Sequence, residues 1–195
     1  KRESLLGSLL GVNGAIYAVR RECFVELEGD IISDFILPMK IYGDGYEVRY
    51  CSRAVAVEET SRSFEDEFRR KKRIIVRGLY GLLKHASFLN PFSHGFFAVE
   101  IWSHKLIRWF VPVMLLGMLI TSAFLVRDGL FQYFFVAQVI FYLLAVVGKT
   151  GGESVRKFWF IYIPYYFTVI NIAALLAIIE FMLGKRYKTW STTRS

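Results

Sequence analysis

Few residues of this chain have the type and spacing that chemistry requires. Cys23 and Cys51 lack the spacing of metal ligands and make no disulfide framework, so we expect buried or free thiols in a reducing compartment. His94 and His104 are not at metal-ligand spacing with each other either. We expect them to contact lipid headgroups or backbone groups. The pattern that remains is a dense run of cations after residue 68.

The cations belong to a predicted amphipathic helix at 63–84. Ser63 can cap this helix, and the acidic residues at 65–67 favour its dipole. At 100° per residue the apolar side chains form a narrow stripe. The cations fall opposite that stripe, at Arg69, Arg70, Arg73, Arg77 and Lys84. Such a helix can lie at a membrane interface, while a basic surface helix attracted only to anionic headgroups accounts for the pattern as well.

Asp34 stands at the head of an apolar run, 34–42, that has helical spacing and stops at the turn signal Gly43-Asp44-Gly45. By itself, Asp34 is therefore best explained as a helix N-cap. A short helix is expected at 20–27. Three runs that alternate or are β-branched predict strands: 13–19, 47–51 and 54–57. Together these elements predict an α/β or α+β layer that is too small to stand alone.

The C-terminal half has a different composition. Residues 1–105 hold 16 of the 25 Lys and Arg and 14 of the 17 Asp and Glu. The rest of the chain contains three uncharged runs of 18, 19 and 22 residues, at 109–126, 130–148 and 158–179. Because about 20 apolar residues span a hydrocarbon core of about 30 Å, these runs predict about three transmembrane helices.

Cations between the runs predict the orientation. Lys105 and Arg108 place the N-terminal half in the cytoplasm by the positive-inside rule, and the cations at 149–157 agree after two crossings. A third complete crossing would place the basic tail at 185–195 outside, against the same rule. Either the tail is an exception or one segment does not cross fully, and both readings stay open.

Five segments in this order resemble bacterial membrane-bound family 2 glycosyltransferases, which include cellulose and hyaluronan synthases. They are GVNGAIYAVRRECF (11–24), DIISDFILPMKIYGDGYEVRY (30–50), FEDEFRRKKRIIVRG (64–78), SHKLIRW (103–109) and GKRYKTWSTTRS (184–195). No single motif is specific, whereas the ordered set is. The resemblance implies the C-terminal part of an α/β GT-A domain at 1–62, followed by three further regions. These are amphipathic interfacial helices at 63–105, transmembrane helices at 106–184 and a polar basic tail at 185–195.

The resemblance also implies roles for residues of the N-terminal half. The family's acidic motif ends in the general base that deprotonates the acceptor hydroxyl, and Asp34 matches that position. Ser33 departs from the pattern, because the family usually has a second acidic residue there. Asn13 and Gly14 match a glycine-rich segment near the acceptor, although a turn accounts for them as well.

On the basic helix, residues 70–74 match the Gln-x-x-Arg-Trp motif of the processive members. Arg73 keeps the arginine, which suits the donor diphosphate because guanidinium grips phosphate oxygens in a bidentate way. Arg70 replaces the glutamine, and both arginines are candidate diphosphate ligands. Ile74 replaces the tryptophan that stacks on the acceptor sugar, so single transfer is favoured over polymer synthesis.

The expected function is therefore inverting transfer of a sugar from a nucleotide-sugar donor to a lipid-linked or polysaccharide acceptor. The expected location is the cytoplasmic face of a bacterial inner membrane, with membrane lipids as partners and no nucleic acid. The family uses a divalent metal, Mg²⁺ or Mn²⁺, whose ligands lie in the nucleotide-binding half. The resemblance places that half before Lys1, so the 195 residues should be inactive alone. A processive polysaccharide synthase and a non-catalytic membrane module, such as a transporter piece, are the alternatives.

Overall fold

A computed structural model describes residues 8–57, 63–127 and 129–187. Seven α-helices run through this part of the chain. They are α1 (Ser33–Gly43), α2 (Phe64–Lys84), α3 (Pro91–Ile101), α4 (Ile107–Phe124), α5 (Gly129–Thr150), α6 (Gly152–Arg156) and α7 (Trp159–Met182). The 3-10 segments Arg21–Cys23 and Ala86–Leu89 precede α1 and α3, and the π-helical turn Trp102–Leu106 joins α3 to α4.

The prediction of an α/β GT-A domain is wrong, because the described residues contain helices and no strand. The 13–19 run contains a turn, and the runs 47–51 and 54–57 are irregular. Val48 accepts a hydrogen bond from Leu9 N at 3.1 Å and donates one to Ser8 Oγ at 2.9 Å. Contact at one residue makes no ladder, and a strand is stabilised only by a partner that continues the pairing.

The described residues form two compact units: the first comprises those up to residue 108 together with 177–187, and the second those within 109–176. The core of the first unit is built on α1, which is buried on almost every side. Its buried residues are Phe35, Ile36, Leu37, Pro38, Met39 and Ile41. Since a helix that is apolar all round must be covered by protein, α1 is the central element that the neighbouring segments enclose.

Close packing of α2 on α1 requires glycine at position 81. A Cβ built on Gly81 would lie 2.7 Å from both Cγ1 and Cδ1 of Ile36, whose side chain is fully buried. The two helices therefore approach through a backbone surface that no larger residue can provide.

We expect Gly81→Leu to lower the stability of the first unit by about 1–3 kcal/mol, because a side chain forced into a packed core displaces its neighbours. The measurement is the thermal midpoint of the purified protein in detergent. Gly117→Leu is the matched control, since a Cβ there meets nothing within 4 Å. Equal midpoints for the two variants would contradict the close α1–α2 packing.

The sequence prediction for α2 is confirmed at its N-terminus and changed at its C-terminal end. Ser63 Oγ accepts from Asp66 N at 3.1 Å, as the capping pattern predicts. The last two turns are buried on most sides, at Ile75, Val76, Gly78, Leu79, Tyr80, Gly81 and Leu82. Arg77 is also half-buried rather than solvated. The C-terminal end of α2 thus lies inside the unit, and its cations contact protein.

The prediction of about three apolar helices is confirmed, because three continuous helical stretches are long and apolar enough to cross a membrane. These are Pro91–Phe124, Gly129–Thr150 and Trp159–Met182. Within the second unit, α5 and α7 run antiparallel. A Cβ on Gly148 would lie 2.8 Å from Tyr165 Cβ, and the rings of Phe141 and Phe167 are 5.6 Å apart. A small residue at a helix contact is typical of membrane helices.

Candidate active site

The backbone around Asp34 is shaped by a proline four residues later. Pro38 lies inside α1 and has no N–H, so the carbonyl of Asp34 loses the partner that a regular helix would supply. That carbonyl instead accepts a hydrogen bond from Val12 N at 2.8 Å. The irregular segment around Val12 is thereby bound to the first turn of α1.

The same segment covers the carboxylate of Asp34. A Cβ on Gly14 would lie 3.2 Å from Asp34 Oδ2, and one on Gly11 would lie 3.2 Å from the Asp34 carbonyl oxygen. Asn13 forms the turn between them, with its Oδ1 accepting from Ala15 N at 3.1 Å. The structure therefore brings Asn13 and Gly14, which the sequence also explained as a turn, against Asp34.

Asp34 does not serve as the cap of its helix. Ile32 occupies the N-cap position without a side-chain cap bond, and Asp34 is the second residue of α1. Its side chain is half-buried, while Ser33 beside it is exposed. The carboxylate is thus available for another role than ending the helix.

Burial and positive charge act on Asp34 in opposite directions. Burial raises the pKa of the Asp34 carboxyl, whereas the charges of Lys105, Arg77 and Arg70 lower it. Burial prevails, and the pKa lies above that of an ordinary aspartate. A carboxylate held this way has a higher proton affinity than an exposed one, and it faces cations from two different segments of the unit.

Arg77 is fixed by main-chain acceptors. Its Nη2 donates to the carbonyls of Gly29 at 3.0 Å and Ile31 at 2.6 Å, in the segment that enters α1. Burial, followed by the charge of Arg73, lowers the pKa of Arg77, and the charge of Asp34 opposes this. Arg77 therefore ties α2 to the segment that carries Asp34.

Arg70, Arg73 and Arg77 follow one another at helical spacing, so they share one face of α2. Arg70 is exposed, and Arg73 is half-buried. Arg69 lies in different surroundings from these three arginines: it is exposed and pairs with Asp66 at 2.8 Å. Of these three arginines, Arg70 and Arg77 lie close enough to Asp34 for their charges to lower its pKa. An anionic group bound at this face would meet more than one guanidinium.

A groove of about 330 Å³ reaches this face of α2 at Arg77. Its lining includes Arg77, Ser33, two exposed aromatic rings and two carboxylates, from Tyr17, Phe24, Glu26 and Glu28. Aromatic rings offer apolar faces, and carboxylates accept hydrogen bonds from hydroxyl groups. The groove thus presents both ring faces and hydrogen-bond acceptors.

Sequence reasoning missed several residues of this arrangement. It used Lys105 only for orientation, placed Arg77 in a generic basic face, and gave no role to Tyr17 or Phe24. The one available signal was Pro38, whose spacing from Asp34 frees a carbonyl oxygen.

No group of three or more His, Cys, Asp or Glu side chains in the described part of the chain is arranged to hold a metal ion. The resemblance implies that the ligands of the divalent metal lie in the nucleotide-binding half, so the expectation of a metal stays a prediction.

The chain matches no protein-family model. No curated protein and no solved structure matches it either.

Proposed function

We propose that this chain is part of a membrane-embedded inverting glycosyltransferase, with Asp34 as the general base. The observation that carries the proposal is the half-buried carboxylate of Asp34, with its raised pKa, lying under Gly14 among Arg70, Arg77 and Lys105. Since a base works best when its pKa approaches the working pH, burial makes this aspartate better suited to accept a proton than a solvated one.

The proposed reaction is a single displacement. The acceptor hydroxyl oxygen attacks the anomeric carbon of the donor sugar, and its proton passes to the Asp34 carboxylate. The bond between the anomeric carbon and the diphosphate oxygen breaks, and its electron pair leaves with the nucleoside diphosphate. One displacement inverts the anomeric configuration and requires no covalent enzyme intermediate.

The arginine face of α2 supports the second half of this reaction. Negative charge grows on the diphosphate as the glycosidic bond breaks, and guanidinium groups stabilise it through charge-assisted hydrogen bonds. Arg73 and Arg70 are assigned to the diphosphate. Arg77 is assigned to holding the segment before α1, because its Nη2 already donates to Gly29 and Ile31.

The groove next to Ser33 is assigned to the acceptor sugar. Ile74 stands where processive synthases have a stacking tryptophan, and it is half-buried. Phe24, by contrast, is 60% exposed and lines the groove. Phe24 is assigned to contact with the acceptor sugar, and the lack of a stacking ring at Ile74 favours single or limited transfer over polymer synthesis.

We expect Phe24→Ala to raise the acceptor KM by about three- to tenfold with little change in kcat, because a ring contact is worth about 1 kcal/mol. The measurement is transfer of label from nucleotide sugar to lipid-extractable product in native membranes. Tyr46→Ala is the control, since Tyr46 is exposed outside the groove lining. A fall in kcat with unchanged KM would remove Phe24 from acceptor binding.

Coupled release of nucleoside diphosphate and formation of a glycoside in those membranes tests the proposal as a whole. A ladder of long chains would favour the processive synthase. Release of no diphosphate with any nucleotide sugar would favour a non-catalytic membrane module.

A further inference from the structure

The C-terminal end of α7 and the residues after it make polar contacts with α2. Glu180 Oε1 accepts from Lys72 Nζ at 2.9 Å and from Lys185 Nζ at 2.7 Å. The second oxygen, Oε2, accepts from Tyr187 OH at 2.6 Å. Glu180 and Lys72 are both largely shielded from solvent, with side chains 17% and 20% exposed. One carboxylate therefore joins α2, α7 and the segment that follows α7.

A second set of contacts lies on Arg186. Its Nη1 donates to Asp30 Oδ2 at 3.0 Å, and its guanidinium lies 4.8 Å from the centre of the Tyr80 ring. Tyr80 in turn packs edge-on against Phe181, with the ring centres 4.7 Å apart. Asp30 is 5% exposed, so its charge needs a partner, and Arg186 supplies one from more than 150 residues away in sequence.

We infer that residues 183–187 lie on the same side of the membrane as α2 and Asp30. Hydrogen bonds of about 3 Å cannot be formed across a hydrocarbon core of about 30 Å. Between α2 and Lys185 the chain contains three helices long enough to cross. Three complete crossings would put Lys185 on the far side, so the number of complete crossings is even. At least one of the three apolar helices therefore does not cross completely.

The distribution of cations agrees with this topology. With an even number of crossings, Lys185 and Arg186 share a membrane face with Lys105 and Arg108, as the positive-inside rule requires. The conflict that three crossings create for the basic tail then disappears. All of these contacts lie within the first unit, and none of them involves Asp34.

Thiol labelling tests the topology, because the chain provides its own reporter. Cys51 is exposed, whereas Cys23 is buried. Sealed vesicles are prepared in both orientations. A membrane-impermeant maleimide should label Cys51 of the unsubstituted protein in one of these orientations. It should label Ser195→Cys, made in a Cys51→Ser background, in that same orientation. Asp44→Cys in that background is a second reporter for the first unit, at the exposed turn after α1. Labelling of residue 195 in the opposite orientation would overturn the inference.

Protease digestion of a C-terminal epitope tag in the same vesicles gives an independent readout that needs no cysteine. Loss of the tag should occur in the orientation in which Cys51 reacts. Loss only in the other orientation would again contradict the even number of crossings. Cysteines at Arg127 and Lys157, in the connections between the apolar helices, then identify which apolar helices do not cross.

Discussion

Asp34→Asn in the full-length protein should abolish sugar transfer, with a loss of about 10²–10⁴-fold in kcat, while the protein still inserts into the membrane. The asparagine side chain keeps the size of the aspartate and cannot accept the proton of the acceptor hydroxyl. The Asp34 carbonyl is a main-chain group, so its hydrogen bond with Val12 N remains. The substitution should therefore lower the rate of the chemical step and leave the fold intact. The measurement is the initial rate of sugar transfer at saturating donor and acceptor concentrations.

Two further measurements make this result specific. Asp44→Asn, at the opposite end of α1 and exposed, is the matched control and should leave the rate unchanged. Wild-type activity should fall as the pH drops through the pKa of Asp34, and the fall should begin at a higher pH than for an ordinary aspartate because burial raises that pKa. Near-normal turnover of Asp34→Asn would exclude this residue as the base.

Arg73→Ala should raise the donor KM by about ten- to a hundredfold, since a hydrogen bond to a charged group contributes about 1.5–3 kcal/mol. The measurement is the dependence of the transfer rate on nucleotide-sugar concentration. Arg73 is half-buried on the face that also carries Arg70 and Arg77.

The control for Arg73→Ala is Arg69→Ala, which removes one cation from the exposed side of α2, where Arg69 pairs with Asp66. Lys84→Ala is less suitable, because Lys84 pairs with Glu28 and lies 3.9 Å from Asp30. Equal effects of Arg73→Ala and Arg69→Ala would indicate a basic helix that attracts anions without a defined site.

Most of the helices were predictable from local pattern, whereas the helix expected at 20–27 is only the 3-10 segment Arg21–Cys23. The apolar spacing after Asp34 predicts α1, the Ser63 cap predicts the start of α2, and the long uncharged runs predict the apolar helices. The strands were not predictable, because a strand depends on a partner elsewhere. The 47–57 segment has a strand-like pattern, yet Val55 and Val57 are 75% and 97% exposed. β-branched residues alone give no sheet when no core or neighbouring strand covers them.

The candidate site was predictable in part, for the same physical reason. Asp34 and Arg73 follow from ordered motifs along the chain. Lys105 acts on Asp34 from more than 70 residues away, and Phe24 lines the groove beside Ser33. These placements result from the packing of α1 and α2 and from the carbonyl that Pro38 leaves free, which are properties of the folded unit rather than of any local pattern.

The anomeric configuration of the product tests the central claim most directly. Native membranes containing the protein are incubated with nucleotide sugars of known anomeric configuration, and the new glycosidic bond is examined by NMR. We predict a product whose configuration is inverted relative to the donor, formed by the wild type and absent with Asp34→Asn. A product of retained configuration, or an inverted product formed equally well by Asp34→Asn, would contradict Asp34-catalysed single displacement.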